Sequence, residues 1–143
     1  MKRTLVAAAI GLLSSVPALA QDVTLKFHHI WTPTAMAPVN VVGPWCDKIA
    51  AESAGKMKCQ LLPAMSGGGT PAQLVDRVKD GVDDVTITLP GYTAGRFPST
   101  EAFELPFMTN SAEAGGRATW DYFDKHSTKE FAGVKLLATW VHD

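Results

Sequence analysis

Segments with the pattern of buried strands alternate along this chain with segments that have helical spacing, and this order restricts the possible folds. In the first strand Val23, Leu25 and Phe27 alternate with polar residues. The predicted strands cover 23–31, 57–63, 84–89 and 134–141, and the predicted helices between them cover 39–53, 70–81 and 111–127. Strict alternation of this kind predicts an α/β fold, a parallel sheet with helices on both faces.

The helix predicted over 70–81 has the clearest boundaries. Thr70 suits the N-cap, Pro71 the first helical position, and Gln73 the third position of a capping box, while Gly81 ends the helix. The glycines at 67–69 match neither common phosphate-binding pattern. We favour the interpretation that they let strand and helix approach closely; the alternative is that the helix start attracts an anionic group.

A ligand site is expected beyond the carboxyl ends of the strands, because open α/β sheets bind ligands there. The residues at those ends are Ile30 and Trp31, 63–67, 89–92 and 140–143. The segment 89–108 carries Tyr92 and Phe107 where a surface loop would be short and polar. Aromatic side chains at several strand ends predict a pocket with apolar walls.

The first 20 residues have the layout of a secretory signal peptide: Lys2 and Arg3, an apolar stretch over 5–13, and Ala18-Leu19-Ala20 at the cleavage site. The apolar stretch is about half the ~20 residues of a spanning helix. Removing the leader takes the 13 basic and 14 acidic residues to 11 and 14, a net charge of −3. That charge gives no basic surface for nucleic acid or for a membrane.

Cys46 and Cys59 allow two interpretations in an exported chain. They can form a disulfide in an oxidising compartment, or they can be two small buried hydrophobic residues. The sequence has no second cysteine pair and no histidine pair at the spacing of zinc ligands, so it does not predict a zinc site.

Residues for catalysis are not grouped in a known pattern. No G-x-S-x-G turn occurs in the sequence. His28 and His29 are neighbours on a strand, so they point to opposite faces and do not suit one shared metal ion. One of them is expected to be packed in the core, and His142 stands alone near a strand end. We therefore expect no catalytic residue, no metal and no cofactor.

The run LPAMSGGGTPAQLVDRVKDGVDDVTITLPGYTAGRFPSTEAFELPFM, with LKFHHIW upstream, closely resembles the extracytoplasmic solute-binding receptors of TRAP transporters. These transporters are tripartite and independent of ATP. The resemblance covers about 23–143. It implies a two-lobed periplasmic-binding-protein fold, of which residues 21–143 are the incomplete first lobe. It also implies that the arginines that clamp the ligand carboxylate lie outside this sequence.

The resemblance implies a function in transport without catalysis. A periplasmic receptor of this family binds a small organic acid and delivers it to a membrane permease of two subunit types. Ligand-facing positions fall on Ile30, Trp31, Leu89, Tyr92 and Trp140. Because these side chains are apolar or aromatic, a carboxylate with a weakly polar body is expected, and FELPF (103–107) is expected to pack beneath the site.

Two other hypotheses stay open. The chain could be an exported α/β enzyme or redox protein that uses Cys46, Cys59 or His142. It could also be a single lobe that acts alone as a sensor partner. The first requires turnover or a reactive cysteine pair, whereas a receptor requires reversible ligand binding alone.

Overall fold

The computed structural model describes residues 22–126 and 129–141. The predicted signal peptide and His142 lie outside the described residues. Three strands form a parallel sheet in the order β2-β1-β3, with β1 at Val23–His29, β2 at Met57–Leu62 and β3 at Val85–Ile87. The parallel sheet predicted from the alternating pattern is confirmed, and its first three strands lie where they were predicted.

The helices also follow the predicted order. A π-helical turn at Pro38–Val42 leads into α1 at Gly43–Glu52, and a 3-10 turn at Pro71–Gln73 leads into α2 at Leu74–Lys79. Beyond β3 come 3-10 turns at Pro90–Thr93 and Ala102–Glu104, the short α3 at Pro98–Glu101, and α4 at Ala112–His126. Before the 3-10 turn that leads into α2, the Thr70 N–H donates to Gln73 Oε1 at 2.9 Å, as the capping pattern predicted.

Helices lie on both faces of the sheet, and two neighbouring β1 residues show this. Phe27 packs with Val42 and Cys46 on the α1 side, whereas His28 bonds to Asp83 after α2. Successive strand residues point to opposite faces, so the two helices cover different faces. Both His28 and His29 are fully buried, where only one of them was expected to be.

A disulfide joins Cys46 of α1 to Cys59 of β2, with the Cα atoms 5.7 Å apart. The bond fixes the helix to the strand, and it settles the two interpretations of this cysteine pair. Closing a loop of this length contributes about 3 kcal/mol to stability.

The prediction of a strand over 134–141 is wrong. Residues 135–141 belong to no helix or strand, and Leu137 is 54% exposed. The apolar pattern suits a strand, but a strand also requires a hydrogen-bonded neighbour. β3 pairs with β1 alone within the described ranges, and a cavity separates its outer edge from this segment.

The expected packing of FELPF is also wrong in part. Phe103 packs on Tyr122 and Phe123 of α4, but Leu105 is 58% exposed and Phe107 is fully exposed with a left-handed φ of 65°. The backbone turns after Pro106 and carries the Phe107 ring away from the core.

Two further features concern membranes and metals. No helix in the described part of the chain is long and apolar enough to cross a bilayer. Across the same residues, no group of three His, Cys, Asp or Glu side chains could hold a metal ion.

Candidate functional site

The carboxyl ends of the three strands meet at one edge of the sheet, because the strands are parallel. β1 runs out into Ile30 and Trp31, and the chain after β2 follows it closely. The Ala64 N–H donates to the Trp31 carbonyl at 2.9 Å, and the Met65 N–H donates to the His29 carbonyl at 3.1 Å. The residues 63–69, named here the edge turn, therefore hold the end of β1 in place.

Trp31 and Trp140 come together at this edge. Their ring centroids are 6.5 Å apart and the ring planes are inclined by 39°. Trp31 rests on the buried His29 ring at 6.0 Å, and His29 in turn contacts Phe27. Burial lowers the pKa of His29, so the ring beneath Trp31 is neutral at neutral pH. The two indoles form an aromatic surface supported from the core.

The other three predicted site residues are arranged differently. Leu89 lies directly after β3 and lines the same cavity as Trp140. Tyr92 is 43% exposed on the turn that follows, where its N–H donates to the Leu89 carbonyl. Ile30 is half-buried between His29 and Trp31. No ring contact among the described residues joins Tyr92 to the two indoles. Of the predicted site residues, Trp31 and Trp140 are in ring contact, and Leu89 and Trp140 line one cavity.

A cavity of about 570 Å³ runs along the outer edge of β3. It extends from core residues near Val42 to Leu89 and Trp140, and its opposite wall is the segment 134–141. Six phenylalanines also line it, namely Phe27, Phe97, Phe103, Phe107, Phe123 and Phe131. This space suits an apolar occupant, because few polar groups face it.

The chain after β3 is held by carboxylates. Glu104 accepts from the Gly91 N–H at 3.0 Å, and Glu101 accepts from the Gly95 N–H at 2.9 Å. A side chain on Gly91 would collide with the Glu104 carboxylate. These bonds give the predicted loop a defined shape beside the ligand edge.

The arginines of the described residues are all paired with carboxylates. Arg77 binds Asp83, and the exposed pair Arg117–Glu113 lies on α4. Arg96 binds Asp76 through two bonds of 2.9 and 2.6 Å, and hydrogen bonding to Arg96 lowers the pKa of that carboxyl. Within these ranges no arginine is left to bind a ligand carboxylate.

One polar cluster was missed by the sequence analysis. His28, Arg77 and Asp83 form hydrogen bonds beneath the edge turn, and Arg77 also reaches the Gly67 carbonyl. Asp83 lies in the turn after α2, and its side chain is buried. The glycines before α2 were the available signal, because the close approach that they predicted is made here by the His28 ring at Gly67.

Comparison with known families gives a match over residues 27–143 to the model described as bacterial extracellular solute-binding protein, family 7. The curated protein named outer membrane transporter protein TsaT, from Comamonas testosteroni, is 28% identical over 98% of this chain and 41% of its own length.

Solved structures resemble this chain more closely. A TRAP solute-binding protein from Rhodoferax ferrireducens T118, in complex with copurified benzoate, is 49% identical over 84% of this chain, with a TM-score of 0.80. A marine metagenome TRAP solute-binding protein specific for aromatic acids, with 3-hydroxybenzoate, is 47% identical over 84%, also with a TM-score of 0.80. A Bordetella bronchiseptica protein with bound (R)- and (S)-mandelate is 32% identical over 82%, with a TM-score of 0.71. This chain spans about two fifths of each, 37%, 38% and 38%.

Proposed function

Since this chain belongs to family 7 of the bacterial extracellular solute-binding proteins, we propose that its protein is the periplasmic receptor of a TRAP transporter. It binds a small organic acid and passes it to a membrane permease of two subunit types, without catalysis. The observation that carries this proposal is the 49% identity and shared fold with a benzoate-bound TRAP receptor.

The ligand that we propose is an aromatic carboxylate. The relatives at 49%, 47% and 32% identity hold benzoate, 3-hydroxybenzoate and mandelate. In this chain Trp31 and Trp140 present an aromatic surface at the strand ends. Such rings supply a large contact area with few rotamers to restrict. The predicted contacts at Ile30, Leu89 and Tyr92 would enclose the apolar part of the same ligand.

The carboxylate requires a cationic clamp that the arginines of the described residues do not supply. Their arginines are bound to Asp76, Asp83 and Glu113. A charged ligand without a charged partner would lose its hydration without compensation. We therefore propose that residues 21–143 form the first lobe of a two-lobed receptor, exported after removal of residues 1–20, and that a second lobe provides the clamp.

The enzyme alternative has less support. Cys46 is buried and bonded to Cys59, so these thiols are not available as nucleophiles. His142 lies outside the described residues. The related solved structures are solute-binding proteins.

Native mass spectrometry of the protein exported from its own locus tests the proposal. We expect a mass more than twice that of residues 21–143, without the leader and with an aromatic acid as adduct. A mass equal to residues 21–143 alone contradicts the two-lobed receptor.

Calorimetry then tests the aromatic surface. Replacing Trp31 or Trp140 by Leu should weaken benzoate binding about tenfold, since an aromatic pair contributes up to about 1.5 kcal/mol. The affinity for cyclohexanecarboxylate, which lacks the π system, should fall much less in the same variants. Trp120→Leu is the matched control, because Trp120 on α4 is 43% exposed and Trp140 is 39% exposed. Equal losses for both acids would contradict the stacking role.

A further inference from the structure

His28, Arg77 and Asp83 form a hydrogen-bonded network inside the protein. His28 Nδ1 lies 2.8 Å from Asp83 Oδ2, and Arg77 Nε donates to the same oxygen at 2.6 Å. His28 is fully buried and Asp83 is 2% exposed. Burial opposes ionisation of Asp83, but the bonds from Arg77 and His28 outweigh it and keep the pKa of the carboxyl below its usual value. The ionised carboxylate only accepts, so His28 donates through Nδ1.

Stability alone is a weak reason for such a network. Removing charges from water costs several kcal/mol per ion, and well-packed apolar residues of similar volume often stabilise a protein as much. Hydrogen bonds from ionic groups are directional, whereas apolar contacts are not, so each bond fixes the position of a particular atom. The role of this network therefore depends on the atom that it holds in place.

That atom is the carbonyl oxygen of Gly67 in the edge turn. Arg77 Nη2 donates to it at 2.9 Å while the same guanidinium binds Asp83. A Cβ at position 67 would lie 2.9 Å from His28 Cε1 and 3.1 Å from Leu62 Cδ1. The turn thus packs closely on the His28 ring on one side and accepts a hydrogen bond from Arg77 on the other.

The edge turn needs such support because its backbone is strained. Ala64 and Met65 both have left-handed conformations, with φ of 49° and 59°. For residues other than glycine each costs on the order of 1 kcal/mol or more and persists only where the surroundings enforce it. The same two residues donate their N–H groups to the carbonyls of Trp31 and His29.

We propose that His28, Arg77 and Asp83 are positioning residues for the ligand edge, which act through Gly67 and the edge turn to fix Trp31. This inference rests on the proposed function, because it makes Trp31 part of the ligand site. The network does not touch the ligand. It prepares the aromatic surface before the ligand arrives, so its loss reduces affinity through the orientation of Trp31.

Variants of the complete exported protein, labelled with 5-fluorotryptophan, test this proposal. Arg77→Met removes the bonds to both Gly67 and Asp83. Gly67→Ala pushes the turn from the His28 ring and leaves every charge in place. Arg96→Met is the matched control: Arg96 is 28% exposed against 21% for Arg77, and it binds Asp76 at the same 2.6 Å without touching the edge turn. Trp31→Phe assigns the Trp31 fluorine resonance.

At a temperature where every variant is folded, we expect Arg77→Met and Gly67→Ala to raise the Kd for benzoate about tenfold. Both should also shift the Trp31 resonance in the unliganded protein, and Arg96→Met should do neither. Either an unmoved Trp31 resonance or an unchanged Kd in Arg77→Met overturns the positioning role. If the wild-type protein binds no acid, the proposed function fails, while the Trp31 resonance still tests the network.

Discussion

The two sides of the sheet are stabilised by different means. On the bonded side, residues 22–83, β1 and β2 pair over six positions, and a disulfide and the His28–Arg77–Asp83 network connect sheet, helices and edge turn. On the open side, residues 84–141, β3 pairs over three positions and its outer edge faces a cavity of about 570 Å³. A disulfide and a buried charged network hold the first side, whereas on the second side the carboxylates of Glu101, Glu104 and Glu130 accept from backbone N–H groups beside the cavity.

This difference bears on ligand binding. The aromatic surface is built from both sides, since Trp31 follows β1 and Trp140 lies in the segment 134–141. Trp31 is supported by His29 and the edge turn, while Trp140 borders the cavity. We therefore expect the bonded side to provide the rigid half of the surface and the open side the adaptable half.

Removal of the disulfide should cause the largest loss, because it breaks the covalent bond of the bonded side. The double variant Cys46→Ala and Cys59→Ala should lower the free energy of unfolding by about 3 kcal/mol. Urea unfolding of the exported protein measures this, and wild-type protein in reductant serves as the control. A loss below about 1 kcal/mol would show that the pairing of β1 with β2 and the His28–Arg77–Asp83 network hold this side without the disulfide.

A second test compares one carboxylate from each side, the buried Asp83 and the half-buried Glu130. Asp83→Asn removes a charge bound by Arg77 and His28 and should cost about 2 kcal/mol, which is typical of hydrogen bonds to charged groups. Glu130→Gln on the open side should cost about 1 kcal/mol, because the Glu130 carboxylate accepts from Ser99 and Thr100 and forms no ion pair among the described residues.

Both carboxyls have a pKa below its usual value: burial opposes this shift, but hydrogen bonds to each group outweigh it. Their stabilising effect is therefore complete above the unfolded pKa, about 4, and is lost as the pH falls through the lower folded pKa. Unfolding measured between pH 7 and pH 3 should show a smaller acid loss in Asp83→Asn than in the wild type. Equal acid losses would mean that Asp83 does not contribute to this pH dependence.

The same contrast explains how far the sequence predicts the structure. On the bonded side the patterns are local: alternation gives β1, Thr70 and Gln73 cap the helix start, and the cysteine spacing allows the disulfide. The segment 134–141 has an equally good strand pattern, but pairing depends on a neighbour that its own residues cannot specify. Trp140 lies beside Trp31, although the strand that was expected to place it there does not form. The Arg77 network was missed because Asp83 and Gly67 meet only through the fold.

A third test uses two threonines of the open side. Thr139 lines the cavity, and its buried hydroxyl has no hydrogen-bond partner in the described residues. Thr119 on α4 donates to the Gly115 carbonyl at 2.7 Å. An unpaired buried hydroxyl costs about 1 kcal/mol or more, whereas a satisfied one contributes about 1 kcal/mol.

Thr139→Val should therefore raise the free energy of unfolding by about 1 kcal/mol, and Thr119→Val should lower it by a similar amount. Both substitutions exchange a hydroxyl for a methyl group, so their opposite signs separate the hydrogen bond from the change in shape. Thermal and urea unfolding of the exported protein measure both. If Thr139→Val instead destabilises the protein, its hydroxyl has a hydrogen-bond partner outside the described residues, and polar bonds contribute to the stability of the open side.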